Sequence, residues 1–333
     1  MSGPEIRLVI GRRRFLFGLG TWVSKASIAA ELSNRGYDDP EDIYRALRSE
    51  SRAPLHIAGG EISVAFDNDA PGLDQARALR WVKKCAEAIA TYFGRYPTRS
   101  YGLLIVAEAG DHVGHAVTYG YRGSVTLIRV GVEAGDRAFA DDWVLVHEMV
   151  HTALPDLPRR ALWLQEGSAT WIEPVARAQI GELPAEEVWR QAIHGMPKGV
   201  TSFGGGGLDG TRDWGRLYWG GALFWLEAEI AIYQQSQGRF LLRDALRAIN
   251  RESGGNSVEW SPEKMMQVGD RATGTAALVN LYDRFSTRGF DGSMPELFER
   301  LGVGLSPSGR VYFNQAAQLA ELAQLITDPL RRR

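Results

Sequence analysis

The sequence predicts an α+β protein in which a small β-sheet lobe is followed by a mainly helical lobe. Apolar runs rich in β-branched residues or alternating with polar ones predict strands over 62–66, 101–106 and 124–130. From about residue 138 onward, apolar residues instead recur at helical spacing in successive segments. The composition, 44% hydrophobic and 23% charged, is typical of a globular chain, so both patterns are expected to build a packed core.

The first 55 residues form an N-terminal segment that allows two interpretations. The run Arg12-Arg13-Arg14-Phe15-Leu16 is typical of a twin-arginine export signal, in which case the protein is exported. Apolar residues alternating between Ile6 and Phe17 also fit a strand hairpin, in which case the protein is cytoplasmic. A short helix over about 40–47 is predicted next, since Asp38-Asp39-Pro40 is a typical helix start.

Residues 56–135 are predicted to form a mixed α/β lobe and residues 136–333 a helical lobe. In the first lobe, apolar residues at helical spacing predict a helix from Ala76 to Phe93, which ends at Gly94. A glycine-rich stretch, Gly204–Gly207, interrupts the second lobe as either a lid or a connector. The helices predicted for this lobe cover 138–154, 159–179, 184–195, 214–235, 238–250, 261–268, 272–286 and 294–301.

Charge and composition exclude several classes of protein. With 38 Lys+Arg against 40 Asp+Glu the net charge is -2, which does not suit a nucleic-acid partner. The single cysteine, Cys85, excludes an intramolecular disulfide framework and a cysteine-based zinc site. No apolar run reaches about 18 residues, so no integral membrane segment is predicted. Any metal site must therefore use His, Asp or Glu.

One motif carries metal chemistry, the run His147-Glu148-Met149-Val150-His151 inside an apolar helical stretch. Four positions are slightly more than one helical turn, so His147 and His151 lie on one face and can share a zinc ion. Glu148 then flanks the metal without binding it. This arrangement indicates a zinc site with an adjacent carboxylate.

A third ligand is offered by the next predicted helix, which contains Trp163-Leu164-Gln165-Glu166-Gly167-Ser168-Ala169. The segment from Pro155 to Pro158 can turn the chain so that this helix packs antiparallel and presents Glu166 to the metal. Two histidines and one glutamate leave the fourth zinc position open, as in catalytic rather than structural sites. The sequence therefore predicts one Zn²⁺ per chain, bound for hydrolysis.

These motifs resemble the gluzincin zinc metallopeptidases, and among them the alanyl- and glycyl-aminopeptidase branch. The resemblance extends over about residues 75–325 and includes the segment Phe93-Gly94-Arg95-Tyr96-Pro97 and the Leu301 to Phe313 region. Tyr218-Trp219-Gly220-Gly221-Ala222 is similar to a helix start whose tyrosine hydrogen-bonds the oxyanion in that branch. The resemblance implies a thermolysin-like catalytic domain and assigns Tyr218 to catalysis.

The chain departs from that branch on the strand side of the cleft. The branch carries there a glutamate that anchors the substrate amine, whereas the stretch from His112 to Val130 has no acidic residue. We therefore expect an aminopeptidase-like site whose specificity is open between exopeptidase and endopeptidase. Candidates for contacts behind the ligands or with substrate are Glu173, which lies on nearly the same helical face as Glu166, and His115, Asp141 and Asp142.

The function predicted is that of a zinc-dependent metallopeptidase, in which a zinc-activated water attacks a peptide bond with Glu148 as general base. Its partner is a peptide or protein substrate, and the sequence does not determine the oligomeric state. Two alternatives share the same fold. One is a catalytically silent pseudo-peptidase that binds peptides, and the other is a zinc hydrolase acting on a substrate other than a peptide.

Overall fold

The computed structural model describes residues 37, 39–50, 52–200 and 206–330. The twin-arginine-like run at Arg12 to Leu16 lies outside this part of the chain, as do Gly204 and Gly205 of the glycine-rich stretch. The two interpretations of the N-terminal segment and the lid or connector alternatives stay predictions, as do the domain boundaries at residues 55 and 135.

A five-stranded mixed sheet forms the first lobe. Its strands are β1 (Arg52–Ile57), β2 (Gly60–Phe66), β3 (Ser100–Glu108), β4 (Val113–Tyr119) and β5 (Ser124–Gly131). They are ordered β1-β2-β3-β5-β4, with β2, β3 and β5 parallel and the outer strands β1 and β4 antiparallel to their neighbours. Strand β4 is thus an edge of the sheet.

Helices cover both faces of this sheet, which explains the continuous apolar run of its central strand. On β3, Leu104 and Val106 face a cluster that includes Ile43 and Leu47 of helix α1 (Pro40–Ser49). The alternate residues, Leu103 and Ile105, belong to the main core together with helix α2 (Gln75–Phe93). A strand that is buried on both faces has an uninterrupted apolar run in its sequence.

Helices make up most of the second lobe, as predicted. They are α3 (Asp136–Asp141), α4 (Val144–His151), α5 (Leu162–Gln179), α6 (Ala185–Gly195), α7 (Pro197–Val200), α8 (Gly221–Gln235), α9 (Leu242–Ser253), α10 (Pro262–Thr273), α11 (Ala277–Thr287), α12 (Met294–Leu301) and α13 (Ala320–Thr327). A small hairpin of β6 (Val303–Leu305) and β7 (Val311–Phe313) lies between α12 and α13. The predicted sheet-then-helix order is therefore confirmed.

The largest differences from the structure concern the helices predicted over 138–154 and 214–235 and the strand β4. The helix predicted over 138–154 is broken at Asp142, whose carboxylate accepts hydrogen bonds from the backbone N–H groups of Val144 (2.9 Å) and Leu145 (3.3 Å) and thereby starts α4. The helix predicted over 214–235 contains a π-helical turn, Arg216–Gly220, ahead of α8. Strand β4, which pairs antiparallel with β5, is absent from the predicted strands.

Within the described residues, no helix is both long and apolar enough to cross a membrane.

Candidate zinc site

Helix α4 brings the two histidines and Glu148 to the sheet edge. The helix packs against β4 on one side and α2 on another, and its apolar residues Leu145, Met149 and Val150 are fully buried. The opposite face presents His147 and His151, whose rings lie 5.0 Å apart at 82°. Packing of the apolar face thus orients both imidazoles toward α5.

Helix α5 supplies Glu166 because it packs unusually close to α8. A Cβ atom on Gly167 would lie 2.2 Å from the carbonyl carbon of Gly221, so only glycine allows this approach. The Trp225 indole N–H also donates to the backbone oxygen of Leu164 at 3.0 Å, which ties the same two helices together. The carboxylate of Glu166 is consequently held between α4 and the turn that precedes α8.

The geometry of these three residues fits a zinc ion. Glu166 Oε2 lies 3.4 Å from His147 Nε2 and 3.7 Å from His151 Nε2, and all three ligand atoms lie within 4.8 Å of one another. Tetrahedral bonds of about 2.0–2.1 Å place ligand atoms about 3.3 Å apart, close to the two distances from Glu166 Oε2. A borderline-soft divalent cation that accepts two nitrogens and one oxygen therefore suits the donor set.

Burial and nearby charges shift the pKa of each of the three residues. Burial raises the pKa of Glu166, but the two histidines and the Tyr218 hydroxyl outweigh it, so the pKa falls below the ordinary value and the carboxylate stays ionised. Burial lowers the pKa of His151 and keeps the ring neutral, as metal binding requires. For His147, burial also lowers the pKa, but the nearby Glu166 carboxylate raises it overall.

Glu148 points to the sheet rather than to the three ligands. Its Oε2 accepts a hydrogen bond of 2.7 Å from the hydroxyl of Thr118 on β4. That hydroxyl is itself 2.7 Å from the hydroxyl of Thr126 on β5. Glu148 lies beside the cluster of His147, His151 and Glu166 and is not part of it.

Tyr218 reaches the ligand cluster from the π-helical turn. Its ring lies 6.0 Å from that of His147 at an angle of 19°, and its hydroxyl hydrogen-bonds Glu166, which contributes to the lowered pKa of that carboxyl. The indole of Trp214 stacks on the other face at 4.2 Å and 2°. Single π-turns inside helices often occur at functional sites, because the extra residue redirects a side chain.

The remaining candidates lie in different surroundings. Glu173 is buried and forms a 2.8 Å ion pair with Arg177, and burial raises its pKa to about 7. Asp142 is also buried, with a pKa raised to about 6 by burial, and it starts α4.

The other two candidates are exposed. His115 lies on β4 and lines the cleft, whereas Asp141 pairs with Arg137 at the surface.

A large cleft passes the candidate zinc site along β4. Its volume is about 2820 Å³, and its walls include the whole of β4, the ligand face of α4 and the π-helical turn. Two exposed indoles stand in it beside the ligands, since Trp143 is 43% and Trp214 42% exposed. The ring of Trp143 meets that of His147 edge-on at 5.6 Å.

The sequence analysis did not identify Thr118, Trp143, Trp214 or Arg177. Periodicity gives no signal for Thr118, because its contact with Glu148 arises only from the packing of β4 against α4. The two tryptophans had a weak signal, because each stands four residues before a predicted functional residue and is therefore close to it on a helix.

Comparison with known proteins shows a fold relationship. The sequence matches no protein-family model and no curated protein. The structure is similar to that of an aminopeptidase N family protein from Idiomarina loihiensis, with a TM-score of 0.55, 14% identity and coverage of 78% of this chain and 50% of that one. At this identity the likeness shows the fold alone.

Two further structures are similar to this chain with TM-scores below 0.5. An M1 zinc metallopeptidase from Deinococcus radiodurans gives a TM-score of 0.47 at 14% identity, covering 73% of this chain and 53% of that one. A variant of that protein bound to a Tyr-Ser-Ala substrate gives 0.45 at 15% identity, with the same coverage. The chain spans about half the length of these proteins. The fold likeness rests on the aminopeptidase N family protein.

Proposed function

We propose that this protein is a zinc-dependent metallopeptidase with a thermolysin-like catalytic domain. The observation that carries the proposal is the cluster of His147, His151 and Glu166, with Glu148 immediately beside it and a long cleft in front. Two histidines and one carboxylate leave a zinc coordination position open for catalysis. A buried cluster of this kind without a cation would be costly, because Glu166 is only 2% exposed.

The residues of the chain divide the chemistry between them. Zinc held by His147, His151 and Glu166 would supply a Lewis acid and a water of lowered pKa. Glu148 acts as the general base: its carboxylate takes a proton from the attacking water and returns it to the leaving amine nitrogen. The half-buried position of Glu148, between the cleft and β4, suits this exchange.

Tyr218 is proposed to stabilise the oxyanion that forms on the scissile carbonyl. Its hydroxyl hydrogen-bonds Glu166, so it lies beside the ligand cluster, and the indole of Trp214 stacks on its ring. A single oxyanion donor of this type contributes about 3 kcal/mol to transition-state stability. We therefore expect Tyr218→Phe to lower kcat by roughly 100-fold.

The cleft favours an extended peptide as the substrate. Its volume of about 2820 Å³ exceeds the roughly 300–1,000 Å³ typical of small-molecule pockets. Strand β4 is a sheet edge along the cleft and can pair with an added strand. The exposed indoles of Trp143 and Trp214 offer apolar contact to substrate side chains near the scissile bond.

The experiment that tests the proposal compares wild type with Glu148→Gln on a quenched peptide library, with metal content measured in parallel. We expect about one zinc per chain in both proteins, and cleavage only by wild type and only without chelator. Including peptides with free and blocked amino termini distinguishes exopeptidase from endopeptidase activity. Zinc binding without cleavage by wild type would instead favour the pseudo-peptidase or the hydrolase of another substrate.

A further inference from the structure

The catalytic carboxylate is tied to the sheet by a threonine that lies 30 residues away in sequence. Thr118 Oγ1 donates to Glu148 Oε2 at 2.7 Å, and the same oxygen lies 3.3 Å from the backbone oxygen of Glu148. Thr118 belongs to β4, the edge strand that lines the cleft, so the contact joins the substrate-side strand to helix α4.

A second threonine holds the first in place. Thr126 on β5 stands directly opposite Thr118 in the antiparallel register, and their hydroxyl oxygens are 2.7 Å apart. Thr126 is fully buried, with 0% exposure, so its hydroxyl has to find a partner inside the protein. The two strands thus present a pair of hydroxyls, side by side, beneath Glu148.

The direction of this hydrogen-bond chain follows from the chemistry of its members. The carboxylate oxygen of Glu148 is the acceptor in this bond, so Thr118 donates its single O–H to Glu148. Thr118 can then only accept in its contact with Thr126, which must be the donor. The chain therefore runs from Thr126 to Thr118 to Glu148, and each hydroxyl polarises the next.

We infer that Thr118 is a positioning residue for Glu148, oriented in turn by Thr126. Its hydrogen bond holds the carboxylate in one rotamer by engaging Oε2, so that Oε1 exchanges the proton with water and leaving group. This inference rests on the proposed function. A long, otherwise rotatable glutamate side chain gains most from such a bond, because small misplacement of a reacting group costs large factors in rate.

Three substitutions separate positioning from mere support of β4. Thr118→Val keeps the shape and removes the hydroxyl, Thr118→Ser keeps the hydroxyl and removes the methyl group, and Thr118→Ala removes both without risk of crowding. We expect Thr118→Val and Thr118→Ala to lower kcat by about 10- to 100-fold with little change in KM. Thr118→Ser is expected to stay within about 3-fold of wild type. Zinc content should be unchanged in all three. The melting temperature should be unchanged in Thr118→Ser and slightly lower in Thr118→Val and Thr118→Ala, because the buried Thr126 hydroxyl loses its partner there.

A structural readout makes the test independent of peptidase activity. Crystal structures of the zinc-loaded wild type, Thr118→Val and Thr118→Ser are compared at the Glu148 side chain. The inference predicts the wild-type carboxylate position in Thr118→Ser and a displaced or multiple position in Thr118→Val. If wild type cleaves no peptide, the proposed function fails, while this comparison still decides the role of Thr118.

Three results would overturn the inference. One is a Thr118→Val enzyme with wild-type kcat, and another is a Glu148 carboxylate that stays in place without the hydroxyl. The third is a Thr118→Ser enzyme as impaired as Thr118→Val, since that would assign the effect to packing. For Thr126→Val, which leaves the bond to Glu148 but removes its support, the inference predicts a smaller loss of kcat than for Thr118→Val.

Discussion

The close contact between α5 and α8 gives a prediction whose size can be worked from the structure. In Gly167→Ala the new Cβ would lie 2.2 Å from the carbonyl carbon and 2.3 Å from the Cα of Gly221. An ordinary carbon contact begins at 3.4 Å, so the helices must separate by about 1.2 Å, which is 3.4 minus 2.2. Both colliding groups are backbone atoms, so no side-chain rotation relieves the clash.

The expected cost follows from two opposing terms. Overpacking of a tight core costs about 1–3 kcal/mol, and here the upper end applies because backbone meets backbone. Replacing glycine with alanine inside a helix by itself stabilises the fold by about 1 kcal/mol. We expect a net loss of about 2 kcal/mol in the free energy of unfolding, equivalent to a melting temperature about 3 °C lower.

The same displacement should affect the metal site. Glu166 is adjacent to Gly167, and Tyr218 precedes Gly221 by three positions, so the two groups move apart when the helices separate. Calorimetry and a zinc competition titration measure the two effects. Gly135→Ala is the matched control, because its Cβ would meet nothing within 4 Å. A Gly167→Ala protein as stable as this control, with wild-type zinc affinity, would refute the reasoning.

Three further predictions concern the ligands, a buried carboxyl and the aromatic stack. Glu166→Gln replaces the only carboxylate of the cluster with a neutral amide, so zinc affinity in a competition titration should fall by about 100-fold or more. Burial raises the pKa of Glu229 from 4.5 to about 7, so the folded carboxyl retains a proton that the unfolded chain releases, and stability falls as pH rises through this interval. Glu229→Gln keeps an acceptor for the Leu242 N–H. In denaturant unfolding its free energy of unfolding should exceed that of wild type by up to about 3 kcal/mol at about pH 8, but by almost nothing near pH 4.5. Trp214→Ala removes the ring stacked on Tyr218 and should lower kcat by about 10-fold.

Matched controls accompany two of these predictions. Glu186→Gln changes an exposed glutamate in the first turn of α6 and should show no pH-dependent gain comparable with that of Glu229→Gln. Tyr312→Ala removes an aromatic side chain that is 52% exposed outside the zinc-site cleft, and its kcat should equal that of wild type. A pH-independent gain for Glu229→Gln, or equal kcat for Trp214→Ala and Tyr312→Ala, would contradict the corresponding argument.

Much of the candidate site was predictable from the sequence because its spacing is local. His147 and His151 are four positions apart, and any helix places such residues on one face. The order of strands and helices was predictable for the same reason, since apolar periodicity records which side of each element is buried. The predicted helix boundaries were wrong where a side chain caps a helix, as Asp142 does by accepting a hydrogen bond from the Val144 N–H at the start of α4.

The tertiary structure decided which distant groups meet these local motifs. Thr118 reaches Glu148 only because β4 lies at the sheet edge in register with β5 and beside α4. Residues 30 positions apart leave no periodic trace in the sequence, since their contact depends on how strand and helix pack. The sequence by itself thus determined the chemical groups and their spacing on single elements, whereas packing between elements determined which groups hold them in place.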